Sequence, residues 1–171
     1  MFRLLIVFML IFQILSYSQT KDSLHIPSIA KKAIDAFAIG QVSKLKNKYP
    51  DLPIEEYPDA RIIIMGDINN DGVPDIVVQY CIEQSNGSHY FLAGFDGKTF
   101  ALLAHARIGG KGSREVKLQC IKSSFITIDT QTYSDDDPDC CPSLEGISRY
   151  VLYGNEFYEV NILIESCNKN K

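Results

Sequence analysis

The stretch Ile62-Ile63-Ile64-Met65-Gly66-Asp67-Ile68-Asn69-Asn70-Asp71-Gly72-Val73-Pro74-Asp75-Ile76-Val77-Val78-Gln79-Tyr80-Cys81-Ile82-Glu83 decides how this chain folds. Two apolar runs flank a turn built of Asp, Asn, Gly and Pro. In the second run Ile76, Val78, Tyr80 and Ile82 alternate with Val77, Gln79, Cys81 and Glu83. A repeat of two is the side-chain period of a strand, so residues 75–83 form a strand with two distinct faces. Residues 61–65 form a shorter apolar strand ahead of the turn.

The same period continues downstream. Strands are predicted over residues 89–95, 99–107, 114–121, 125–133, 147–153 and 157–164. Turn signals separate them: Asn86-Gly87, Asp96-Gly97, Gly109-Gly110-Lys111-Gly112 and Gly154-Asn155. Connections this short make neighbouring strands antiparallel, because a parallel crossover needs about a dozen residues or more. The expected fold is therefore mainly β, an antiparallel meander of about eight strands. A curled sheet, a sandwich and a partial barrel all satisfy the pattern.

Upstream of Pro53 the period changes. Ile26, Ile29, Ala30, Ala33, Ile34, Phe37, Ala38, Val42 and Leu45 recur at steps of three and four and draw one helical stripe. Lys31, Lys32 and Asp35 fall on the other side. Pro27 suits a first turn, Lys44, Lys46 and Lys48 favour the negative C-terminal end, and Pro50 stops the helix. Gly40 weakens its middle. This N-terminal amphipathic helix is expected to pack on the sheet. Its small and medium residues lack the bulky interfacial groups of a helix that lies on a membrane.

Further upstream stands Met1-Phe2-Arg3, then the apolar run Leu4 to Leu15, then Ser16-Tyr17-Ser18. One positive charge, a short apolar core and small residues at a cleavage site form the pattern of a secretory signal. Twelve helical residues cover about 18 Å, less than the ~30 Å of a hydrocarbon core, so a permanent anchor is not expected. Residues 1–18 are read as a signal peptide, 19–25 as a polar leader and 26–171 as one domain. Export places the mature protein in a periplasmic or extracellular space. Loss of Arg3 moves the formal charge from −4 to −5. That acidity argues against nucleic acid or an anionic membrane surface as partner.

All five cysteines, Cys81, Cys120, Cys140, Cys141 and Cys167, lie in the mature part, where disulfides persist. Five is odd, so one thiol stays free or pairs with another chain. Cys120 alternates with Val116 and Leu118 and reads as a buried thiol. Cys140 and Cys141 either bridge each other through a strained ring or pair outward, for example with Cys120 or Cys81. No C-x-x-C supports a zinc or redox centre.

The loop between the first two strands carries the sharpest chemistry. Asp67, Asn69, Asp71 and Asp75 stand at positions 1, 3, 5 and 9, Gly72 stands at 6, and the carbonyl of Val73 adds a donor at 7. Alternate residues of a tight loop can converge on a hard cation that takes six to eight oxygens, so calcium in a structural role is the expected cofactor. Without a cation, the three carboxylates repel and loosen the loop. Position 12 is Val78 and no helix follows, so this is no EF-hand.

The loop resembles the D-x-[DN]-x-D-G-x-x-D calcium loop of FG-GAP and VCBS-type repeats. Asp75-Ile76-Val77-Val78 matches their entry strand, and Tyr90 to Phe100 resembles the second strand with its D-G-x-x-F ending. In that family such units build the blades of adhesive and ligand-binding propellers. A propeller needs several blades, typically four or more, and this chain holds one unit over about residues 64–102. The resemblance thus implies the metal loop and its hairpin only.

A second motif is Ser134-Asp135-Asp136-Asp137-Pro138-Asp139-Cys140-Cys141-Pro142-Ser143. Its D-P-x-C-C-P-S core, with Arg149-Tyr150 beyond it, resembles a group of small exported bacterial proteins to which no activity is attached. The same group carries a G-D-x-x-x-D-G-x-x-D loop, a G-G-K-G turn (Gly109 to Gly112) and an I-x-x-D-T strand (Ile126 to Thr130). That resemblance implies that Cys140 and Cys141 are the pair tied to the fold. The irregular spacing of the nearby acids makes a solvated loop a simpler account than a second cation site.

Gly109 to Gly112 lacks phosphate-loop spacing and reads as a strand connection; Asn86-Gly87-Ser88 reads as a hairpin turn more simply than as a glycosylation site. His25, His89 and His105 are scattered, without a catalytic motif. The expected function is a non-enzymatic exported domain acting as a binding or envelope-associated module, whose protein or carbohydrate ligand of unknown identity would contact loops at one end. Two alternatives stand beside it. One is a secreted inhibitor using the Cys140-Cys141 loop. The other is a hydrolase whose site assembles only in three dimensions.

Overall fold

A computed structural model of the chain describes residues 26–138, 141–161 and 167. The predicted signal segment, the leader with His25, and Asp139 and Cys140 lie outside the described residues. Helix α1 spans Ser28–Lys48, with Pro27 at its cap and the N–H of Tyr49 closing on Leu45 O at 2.8 Å. Its buried residues are Ala30, Ile34 and Ala38, as the stripe predicts. Ile29 belongs to the same predicted stripe but is 61% exposed. It lies about 100° around the helix from Ala30, off the face along which Ala30, Ile34 and Phe37 meet the sheet.

Nine antiparallel strands follow: β1 Glu55–Glu56, β2 Ile62–Gly66, β3 Asp75–Gln84, β4 Gly87–Phe95, β5 Leu102–Gly110, β6 Arg114–Lys122, β7 Phe125–Thr132, β8 Leu144–Tyr153 and β9 Glu156–Val160. Eight match the predicted meander. The ninth, β1, is two glutamates, which carry no apolar alternation to reveal it. β1 and β2 lie along the same edge of β3, pairing Glu55 with Glu83 and Ile62 with Gln79. β5 starts three residues later than predicted. Phe100 adopts φ +57°, and Asp96 bonds to Phe100 and Ala101, so the turn runs on to residue 101. β9 ends at Val160, short of the predicted 164, and residues 162–166 lie outside the described residues.

The sheet is open and folds back on itself between β5 and β6. These strands share only the Gly110–Arg114 register, whereas β4 and β5 or β6 and β7 pair along their length. Glycine is required at that corner. Gly110 has φ +135°, and a Cβ on Gly109 would stand 2.6 Å from the carbonyl oxygen of Arg114. The fold-back brings β2 against β6 and β5 against β9. One core, including Ile64, Val77, Leu92, Leu118, Ile128 and Phe157, fills the space between the two halves. A second core lies under α1, where Ile76, Val78, Tyr80 and Ile82 meet Ala30 and Ile34. The alternation on β3 thus separates two cores, one on each face.

Two polar devices hold the halves together. Arg114 of β6 forms a two-pronged pair with Glu159 of β9 at 2.8 Å and donates to Ser148 of β8 and to the carbonyl of Ile108 of β5. That guanidinium holds the Glu159 carboxyl down at about 2. Gln79, buried on β3, crosses to the unpaired edge of β6. Its Nε2 donates to Val116 O at 3.1 Å, and its Oε1 accepts from Leu118 N–H at 2.6 Å. Gln79→Leu leaves two buried backbone groups without partners. Urea unfolding should show a loss of about 2 kcal/mol with the fold retained.

Candidate cation loop between the second and third strands

Gly66 ends β2 and pairs with Asp75, the first residue of β3. The eight residues between them must reverse the chain, and Asn70 (φ +61°) and Gly72 (φ +80°) take left-handed conformations to do so. Asn and Gly are the residues that adopt this region at least cost.

The loop side chains divide into two sets. Asp67 accepts from the N–H of Asp71 at 3.1 Å and of Gly72 at 2.9 Å. Asn69 also accepts from Asp71 N–H at 2.9 Å, and Asp71 accepts from Val73 N–H at 2.9 Å. These three gather over the tip of the turn. Asp75 serves the base and has no exposed surface. Its Oδ2 accepts from Ile68 N–H at 3.0 Å and Asn69 N–H at 3.3 Å, and its Oδ1 from Gly97 N–H at 2.9 Å. Among the described residues, no group of three or more His, Cys, Asp or Glu side chains is placed to hold a metal ion. The donor chemistry nonetheless suits a hard cation. All donors are oxygens, and an oxygen that accepts one N–H keeps a second lone pair.

Two neighbouring turns press on the loop, and their contacts with it are not legible in the sequence. From the β4–β5 turn, Lys98 Nζ donates to Asp71 Oδ2 at 2.6 Å. Asp96 fixes that turn by accepting from the backbone N–H groups of Lys98 and Thr99. Gly97 packs so tightly that a Cβ there would collide with the carbonyl oxygen of Pro74. From the β6–β7 turn, Ser124 Oγ lies 2.8 Å from Asp67 O and 2.7 Å from Asn70 Oδ1. The D-G-K-T signal marks a turn, but nothing local says which carboxylate the lysine will meet.

The charges follow from these contacts. The Lys98 hydrogen bond, then the Val73 amide, holds the Asp71 carboxyl below its ordinary value. Burial pushes Asp75 above its own, against the pull of the Gly97, Ile68 and Asn69 amides, and the Asp71 charge adds to the rise. Lys98 is raised by its bond to Asp71, with the Asp96 and Asp67 charges contributing.

In the second motif, Asp137 Oδ2 accepts from the N–H groups of Ser134 and Ser143, each at 2.8 Å, which lowers its carboxyl to about 2. This acid staples the loop. The expectation that Cys140 and Cys141 either bridge each other or pair outward turns on Cys140, which lies outside the described residues. Cys120 is bonded to Cys167, with Cα atoms 6.4 Å apart, and so is neither a buried thiol nor a partner of Cys140 or Cys141. Cys81, also a disulfide candidate, is free. On β3 it stands opposite Tyr90, and burial with the Glu83 charge pushes its thiol up to about 12.

The two described histidines are absorbed by structure. Arg107 can only donate, so His89 Nδ1 accepts from it at 2.9 Å and Nε2–H faces Asn86 Oδ1 at 3.2 Å. His105 Nε2 meets the Tyr80 hydroxyl at 2.7 Å beneath Phe37. Burial lowers the pKa of both. An open trough of about 610 Å³ crosses β6, β7 and β8, lined by Glu115, Lys117, Asp129, Gln131, Glu145 and Ile147. It lies apart from the loop and from both histidines. No protein-family model, curated protein or solved structure matches this chain.

Proposed function

We propose that the protein is an exported, non-enzymatic β domain whose Asp67–Asp75 loop takes one structural calcium ion, and that it binds a protein or carbohydrate ligand. Asp75 carries the reading. Its wholly buried carboxylate is met by three N–H dipoles, and burial raises its pKa. A cation would offset that cost. Asp67, Asn69, Asp71, Asp75 and the Val73 carbonyl are the groups that would hold it. Calcium would supply positive charge at the point where three chain reversals meet, and no more chemistry than that is asked of it.

Two further observations support the reading. The loop and its following hairpin resemble FG-GAP and VCBS-type units, and the apolar run from Leu4 to Leu15 resembles a secretory signal. The β2–β3 loop, the β4–β5 turn and the β6–β7 turn also gather at one end of the sheet, held by Gly97, Lys98 and Ser124. Loops gathered on a rigid sheet are where ligands are commonly met. No described helix is long and apolar enough to cross a membrane.

Thermal unfolding in calcium and in chelator tests the metal. A ligand held only by the folded state, present at a hundred times its Kd, adds about 2.7 kcal/mol. For a domain of this size that is about 5–10 °C in Tm. Asp71→Ala should lose the calcium response while its circular dichroism stays that of a folded β protein. Superimposable melts of the wild type in calcium and chelator would count against the metal.

A further inference from the structure

We infer that Lys98 is the loop's built-in counter-ion, a tethered ammonium that an incoming calcium ion must displace and that sets the affinity of the site. This rests on the calcium reading above. The Lys98 ammonium reaches Asp71 Oδ2 across 27 residues of sequence, and its side chain is 53% exposed. Calcium binds carboxylate oxygens at 2.3–2.6 Å, close to the separation at which the ammonium already sits. Two cations within a few ångströms repel each other, so Asp71 takes one or the other.

The backbone beneath the lysine is fixed independently of its charge. Gly97 N–H is bonded to Asp75, Gly97 is packed on Pro74, and Lys98 N–H is bonded to Asp96. The exchange therefore moves a side chain and leaves the turn in place. Because the ammonium leaves toward solvent, its release costs little desolvation. The metal-free loop is thereby already neutralised in part, and the mutual repulsion of its acids is weaker than their spacing alone implies. A site with an internal competitor is tuned to the high calcium of an extracellular space, and sodium or magnesium would have to outcompete the same lysine.

Calorimetric titration of the full mature chain with calcium chloride at low ionic strength tests this, using wild type, Lys98→Met and Lys98→Arg. Methionine keeps the stem and removes the charge; arginine keeps the charge. Lys98→Met should bind calcium about fivefold more tightly, the upper range for loss of one exposed ion pair, and Lys98→Arg should stay near wild type. Binding by Lys98→Met alone, with none by wild type, also supports the competitor. Equal or weaker binding by Lys98→Met than by wild type overturns the competitor and leaves the calcium loop standing. Absence of binding in all three proteins overturns the calcium reading, and the competitor with it.

Discussion

Asp75→Ala should cost about 4 kcal/mol of unfolding free energy, the largest effect expected from any loop residue. The carboxylate accepts three backbone N–H groups from two separate segments, Ile68 and Asn69 on one side and Gly97 on the other. Hydrogen bonds to a charged acceptor are worth more than neutral ones, and truncation strands donors that water cannot easily reach. Ile68 itself is 1% exposed, so its N–H has little recourse to solvent. The cost does not conflict with the raised pKa of Asp75. Ionising the buried group is unfavourable, yet deleting it leaves the surrounding dipoles unanswered, which is worse. Asp75→Asn keeps one accepting oxygen and turns an NH2 group toward donors, so it should lose roughly half as much. Both variants should be melted in chelator, which separates the hydrogen-bonding role from any metal. A loss below about 1 kcal/mol for Asp75→Ala would show that the loop base is held by something else.

The other large effect belongs to the Cys120–Cys167 disulfide. It closes a loop of 47 residues in sequence separation that contains β7, β8 and β9. Chain-entropy bookkeeping for a loop of that length gives about 4 kcal/mol at 25 °C. The double variant Cys120→Ser/Cys167→Ser should therefore unfold at far lower urea than wild type. Cys120 sits beside the bulge between Leu118 and Cys120, in register with Thr127, so the bond also braces β6 where its ladder is irregular. Peptide mapping without reductant should recover residues 120 and 167 in one linked species. A linkage of Cys120 to any other cysteine, or a double variant as stable as wild type, would refute this account.

Much of the architecture was legible from local pattern. Alternation in residues 75–83 identified both faces of β3, and each face proved to line its own core. Asn86-Gly87, Asp96-Gly97, Gly109 to Gly112 and Gly154-Asn155 each stand at a strand connection. Pro27 and Pro50 bracket α1, and three-and-four spacing picked out Ala30, Ile34 and Ala38. These features depend on residues within a few positions of each other, where backbone geometry alone ties identity to direction. Local pattern was silent on the two glutamates of β1, and it placed Ile29 on the packed stripe although that residue is exposed.

The candidate loop shows the same division. Which oxygens stand in it, and that Gly72 must turn, follow from spacing. How those oxygens are used does not, because their partners come from Gly97, Lys98 and Ser124, which lie 22 to 57 residues away.

The amino-acid order by itself determined an N-terminal helix, an antiparallel run of strands, their faces and the one acidic turn between β2 and β3. Only the tertiary structure decided that Cys120 meets Cys167, that Gln79 reaches β6 and that Lys98 neutralises Asp71. The fold-back at Gly109-Gly110 sets the Gln79 contact, and the other two join segments within one half that lie 27 and 47 residues apart. Periodicity records which way a side chain points within its own element, whereas contacts between elements depend on where the sheet bends.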